Sequence, residues 1–105
     1  MITAMVLKHN KRYQTFICKG HAGFDDAGKD IICAAVSMLV INTANSLDEL
    51  TDSRVKGVDD GSLRWDFIGE PDKKGELLMD SLVLGLRNIE KKYGNNYLKL
   101  IIEEV

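Results

Sequence analysis

Residues 13–37 read Tyr13-Gln14-Thr15-Phe16-Ile17-Cys18-Lys19-Gly20-His21-Ala22-Gly23-Phe24-Asp25-Asp26-Ala27-Gly28-Lys29-Asp30-Ile31-Ile32-Cys33-Ala34-Ala35-Val36-Ser37. Here the chain changes from strand to helix. From Tyr13 to Lys19 the residues are β-prone and sort onto two faces. Gln14, Phe16, Cys18 and Gly20 share one, and Tyr13, Thr15, Ile17 and Lys19 share the other. Phe16 and Cys18 are expected to face the helices. The strand ends at Gly20, a polar loop follows, and a helix begins near Ile31. Asp30 is its N-cap, because its carboxylate can accept the free N–H of Ile32 or Cys33.

This layout puts Cys33 in the first helical turn, where roughly half a positive charge favours a thiolate. His21 stands twelve positions earlier, close enough for the loop to fold it over the helix start as a base for the thiol. A Cys–His hydrolase is the sharp reading. The bland one is that Cys33 is inert packing, the usual fate of a free cysteine. Two roles are open to Asp30. It can satisfy backbone donors as a cap, or orient His21 and stabilise its imidazolium as the acid of a triad. Two are open to Ser37, one helical turn after Cys33: a bond back to the Cys33 carbonyl, or contact with thiolate or substrate. Ala22, Gly23 and Gly28 make the intervening loop a candidate mobile element that closes over a peptide.

Working outward, Ile2 to Lys8 and Tyr13 to Lys19 form a hairpin across His9-Asn10-Lys11-Arg12. The first helix runs from Ile31 to about Leu50. Its first half is apolar on nearly every side, which predicts burial all round and an outer face against another chain; Ala44, Leu47 and Leu50 continue the stripe. Arg54 to Val58 and Leu63 to Ile68 form a second hairpin around Asp60-Gly61. Leu63, Trp65 and Phe67 alternate onto its inner face, with Trp65 as core or as the floor of a pocket for an aromatic substrate side chain. After Gly69-Glu70-Pro71-Asp72, a second helix spans Lys73 to Tyr93 and stops at Gly94. Its inward stripe is Leu78, Leu82, Gly85, Leu86, Ile89 and Tyr93, with Ser81 and Gly85 small enough to let the first helix approach. Tyr97 to Glu103 is the last strand. The order ββαββαβ predicts an α+β fold, one mixed five-stranded sheet packed with two helices, in a single domain over residues 1–105.

The composition is that of an ordinary globular chain: 105 residues, 45% hydrophobic, 29% charged. A net charge of −2 gives no electrostatic case for direct nucleic-acid binding. No uninterrupted apolar run reaches the roughly 18 residues of a membrane span, so no membrane is expected. The start, Met1-Ile2-Thr3-Ala4-Met5-Val6-Leu7-Lys8, has no basic n-region and reads as a strand. A cytoplasmic location with free thiols at Cys18 and Cys33 is expected. Cys18, His21 and Cys33 without a tight Cys-x-x-Cys pair are a poor metal or redox signature. No glycine-rich phosphate loop follows a strand. Neither metal nor cofactor is expected.

Gly20-His21-Ala22, then about ten residues, then Cys33-Ala34-Ala35-Val36-Ser37 resembles the motif pair of the ribosomal-processing cysteine protease family, Prp. Length and element order are similar too, over essentially the whole chain. The resemblance implies a cytoplasmic bacterial cysteine endopeptidase that removes the N-terminal extension of a large-subunit ribosomal protein. It places the catalytic pair on His21 and Cys33, and the supporting Asp and Ser on Asp30 and Ser37. It also implies a homodimer and a substrate with paired aromatic residues before the cut. The rival reading is a non-catalytic ribosome-assembly interaction module in which Cys33 is filler.

Overall fold

The computed structural model describes residues 1–26 and 30–105. The elements are β1 (Ile2–His9), β2 (Arg12–Lys19), α1 (Ile31–Leu50), β3 (Val55–Val58), β4 (Leu63–Phe67), α2 (Lys73–Tyr93) and β5 (Leu98–Glu104). The sheet has five strands in the order β3-β4-β2-β1-β5. β1 runs parallel to β5, and every other neighbouring pair is antiparallel. The sheet is therefore mixed, and ββαββαβ is the observed order.

Strand alternation decides which residues meet the helices, except at Gln14, where the β1–β2 register shifts. Gln14 is left exposed and Tyr13 turns inward to donate to Asp80 of the second helix, against the faces read from sequence. Ala4 pairs with Cys18 and Val6 with Phe16, while Phe16 pairs with Trp65. All five are buried. Phe16 and Trp65 stack at 4.7 Å between ring centres. Asn10 and Lys11 take positive φ values of 50° and 65° in the β1–β2 turn, as a two-residue hairpin with right-handed strand twist requires.

Both helices lie against one face of the sheet and against each other. α1 is fixed at its start by Asp30 and buries Ile32, Val36, Val40, Thr43 and Leu47. By length and hydropathy it matches a membrane-crossing segment, but Ser37, Asn42, Thr43, Asn45 and Ser46 interrupt it, and its buried line packs into the domain core. The all-round burial expected for its first half is not observed within this chain. Ile31, Met38 and Ile41 are exposed. Leu50, expected in the buried stripe, is 65% exposed; Thr43 takes the inward place, its hydroxyl donating to the Leu39 carbonyl.

α2 starts at Asp72, whose carboxylate accepts from the Gly75 N–H, and ends at Gly94. It buries Gly75, Met79, Leu82 and Leu86, so Met79 joins the stripe read from sequence. Gly85 is where the helices come close: a Cβ there would lie 3.0 Å from Leu39 Cδ1. Ser81, expected to share that role, faces solvent.

Candidate active site

The site begins with a turn that only glycine can make. Gly20 closes β2 at φ +93°, and a Cβ on it would lie 2.3 Å from the Met1 carbonyl oxygen. With no side chain, the backbone of Gly20 packs onto the start of β1, and His21 leaves the sheet beside the first turn of α1. Ala22 is buried, and its backbone N–H donates to Cys33 Sγ at 3.2 Å. A donor aimed at the sulfur stabilises negative charge there more than it stabilises a neutral thiol.

Asp30 ties loop and helix together. Its Oδ1 accepts from the N–H groups of Ile32 at 3.1 Å and Cys33 at 3.0 Å. Its Oδ2 accepts from the Phe24 N–H at 3.1 Å. The Cys33 N–H above all holds the Asp30 carboxyl below its usual range, against some desolvation, and the Phe24 N–H, the Cys33 thiol and the Ile32 N–H add to it. Both oxygens thus serve the backbone, as the capping role requires. The Cys33 N–H is taken by Asp30 and is no free donor for an oxyanion. Phe24 seats its ring edge-on to Tyr93 at 5.8 Å and to Tyr97 at 5.3 Å. The loop is thereby held to the far end of α2 as well.

Cys33 is half-buried between two clefts. One, of about 510 Å³, is lined by His21, Gly23, Asp25, Asp30, Cys33 and Ser37 among others. The other, of about 440 Å³, opens toward the β3–β4 hairpin and is lined by His21, Cys33, Ser37, Asp59, Ser62 and Leu63 among others. His21, Cys33 and Ser37 border both, and His21 and Ser37 are exposed. An extended chain can cross the sulfur with one half in each cleft. Gly23 takes φ +69° in the loop; Gly28 lies outside the described residues. Cys18 is buried, and burial pushes its thiol up to about 11, with nearby Cys33 adding to the shift. Cys18 and Cys33 are both free thiols.

Sequence reasoning brought together His21, Asp30, Cys33 and Ser37. It missed the Ala22 N–H on the sulfur, the Phe24 anchor, and the Gly61-Ser62-Leu63 end of the hairpin as the second wall. The Gly-His-Ala motif contains the first of these, but an N–H direction depends on the path of the loop.

Residues 1–98 match the family model described as cysteine protease Prp. The ribosomal processing cysteine protease Prp of Bacillus subtilis is 30% identical over 104 residues, covering 91% of this chain and 93% of that protein. Its counterpart in Staphylococcus aureus is 28% identical over 83 residues, covering 76% and 78%. The crystal structure of the S. aureus protease with a covalently linked product peptide superposes with a TM-score of 0.87 at 24% identity, covering 97% of this chain and 99% of that one. SMU.848 from Streptococcus mutans superposes with a TM-score of 0.84 at 29% identity, covering 100% and 96%. The chain belongs to the cysteine protease Prp family.

Proposed function

We propose that residues 1–105 act as one cysteine endopeptidase domain that removes the N-terminal extension of a bacterial large-subunit ribosomal protein. His21 takes the proton from Cys33, and the sulfur attacks the scissile carbonyl. The tetrahedral intermediate collapses as the imidazolium protonates the departing amine, leaving a thioester on Cys33. Water, deprotonated by His21, then releases the acid and restores the thiol. The Ala22 N–H supports the sulfur, Asp30 holds the helix start and the loop, and Ser37 lies beside the path of the peptide. The loop stretch at Ala22 and Gly23 opens to admit substrate and closes over it.

One observation carries this reading: His21 and Cys33 border the same two clefts, with a backbone donor already on the sulfur. Asp25 and Asp30 make the first cleft acidic, which suits a basic ribosomal protein, while in the second Lys19 offsets Asp59. The exposed Ile31, Met38 and Ile41 on α1 supply an apolar face for a homodimer, in the cytoplasm and without a cofactor. The test is incubation of the ribosomal precursor with wild type, Cys33→Ala and His21→Ala. Wild type shortens the precursor at one bond, Cys33→Ala leaves it intact, and His21→Ala slows cleavage by about 10²–10⁴-fold. Unaltered cleavage by Cys33→Ala ends the proposal.

A further inference from the structure

One nucleophilic side chain takes no part in the proposed cleavage. Cys18 lies on β2 and is 6% exposed, yet it lines the same cleft as Cys33. Both thiols are free. Fifteen positions separate them in sequence, a spacing that gives no redox signature; it is the fold that brings them together. Cys33 packs against the core cluster that contains Cys18. Cys18 stands four residues before Ala22, whose N–H donates to Cys33 Sγ. Cys33 is also near enough to add, after burial, to the upward push on the Cys18 thiol.

The two sulfurs differ as a redox pair requires. Cys33 is half-buried at the helix start with a backbone donor on its sulfur, so it is the thiol that ionises and meets solutes. Cys18 is sealed from solutes, so what reaches it is a group already in the cleft. Resting on the protease reading, we propose that Cys18 is a modification site: once a hydroperoxide has oxidised Cys33, Cys18 captures it as an intrachain disulfide that shuts the protease reversibly. In the first step the Cys33 thiolate takes the terminal oxygen of the hydroperoxide. An S–O bond forms and the O–O bond breaks. Sulfur loses two electrons, the peroxide gains them, and solvent protonates the departing oxygen. In the second step the Cys18 sulfur attacks the sulfenic acid. The S–S bond forms, the S–O bond breaks, and the hydroxyl leaves as water with the Cys18 proton. Neutralising Cys33 in the first step removes the neighbouring charge that opposes ionisation of Cys18, which readies the partner for the second. Capture at this stage keeps Cys33 from the irreversible sulfinic acid, and an added dithiol restores both thiols.

Hydrogen peroxide is the probe, applied to wild type, Cys18→Ala and Cys33→Ala, with a thermal melt to verify that each variant is folded. Wild type becomes lighter by two hydrogens, stays the same size on a non-reducing gel filtration run, and yields on digestion one pair of peptides joined through Cys18 and Cys33. Its cleavage of the ribosomal peptide falls by about ten-fold or more and returns to within about two-fold of the untreated rate after dithiothreitol. Cys18→Ala, scored against its own untreated rate, gains oxygen on Cys33 instead and recovers about ten-fold less of its activity. Cys33→Ala forms no link and leaves Cys18 unoxidised. If wild type gains oxygen on Cys33 with no link, or if the link joins two chains, Cys18 is no partner and the proposal is refuted, while cleavage by the untreated enzyme keeps the protease reading. If the untreated wild type cuts nothing yet forms the Cys18–Cys33 link, the protease reading falls and the thiol pair stands.

Discussion

Gly20→Ala is the most informative single substitution in the scaffold of the site. Two costs add at this position. The first is conformational: at φ +93° an alanine sits in the left-handed half of the map, at about 1–2 kcal/mol. The second is steric. The new methyl would lie 2.3 Å from the Met1 carbonyl oxygen, so the start of β1 or the end of β2 must shift by about an ångström, at about 1–3 kcal/mol. Loss of glycine's freedom in the unfolded chain returns about 0.4–1 kcal/mol. The net is about 3 kcal/mol. Gly61 separates the two terms, because it has φ +84° with nothing within 4 Å of its virtual Cβ. Gly61→Ala should cost only about 1 kcal/mol. At about 4–8 °C per kcal/mol for a domain of this size, Tm falls by about 4–8 °C for Gly61→Ala and by about 12–24 °C for Gly20→Ala. Because Gly20 immediately precedes His21, Gly20→Ala should also lose at least ten-fold in peptide cleavage when assayed well below its Tm. Melting curves of the two variants that coincide would refute the close-approach argument. A Gly20→Ala variant with full activity would refute the claim that this turn aims His21.

Other expectations follow from particular contacts. Leu86 is fully buried on α2, and Leu86→Ala should lose about 2–5 kcal/mol by denaturant titration. Phe24→Ala removes two edge-to-face contacts, each worth about 0.5–1.5 kcal/mol; hydrogen exchange at residues 22–26 should quicken at least five-fold while the sheet keeps its protection. The Cys18 thiol, raised in the fold from 9.0 to about 11, stays protonated where the unfolded chain has begun to ionise. Its contribution to stability is therefore complete below about pH 9 and is lost as the pH rises to about 11. Cys18→Ala should flatten that alkaline limb of the stability curve, and an unchanged limb would show that another group causes it.

Much of the architecture could be read from one-dimensional signals because each boundary has a local cause. Asp30 and Asp72 cap the two helices, Gly94 ends the second, and Asn10-Lys11 and Asp60-Gly61 turn the hairpins. These need only neighbours in sequence. What depends on neighbours in space was harder to read. Leu50 looks like a core residue by spacing, but it is the last residue of α1 and is exposed, and Thr43 is inward instead. Met79 joins the buried line because α2 rests on both α1 and the sheet. Strand order places β1 between β2 and β5, a crossover that no local pattern specifies. The site divides in the same way. Asp30, Cys33 and Ser37 follow from cap position and helical spacing, and His21 from its short loop distance to Cys33 and the Gly-His-Ala motif. The Ala22 N–H on the sulfur, the Asp30–Phe24 tie and the wall at Leu63 depend on loop path and hairpin placement.

The central claim is that Cys33 forms a covalent bond with substrate. Its most direct test is intact-mass spectrometry of the enzyme, acid-quenched during turnover of the ribosomal peptide. The account predicts a species heavier than the free enzyme by the N-terminal fragment less one water, mapped to Cys33 and absent from Cys33→Ala. An enzyme that cuts the peptide without ever carrying it, together with a Cys33→Ala variant that cuts as fast, would contradict the account.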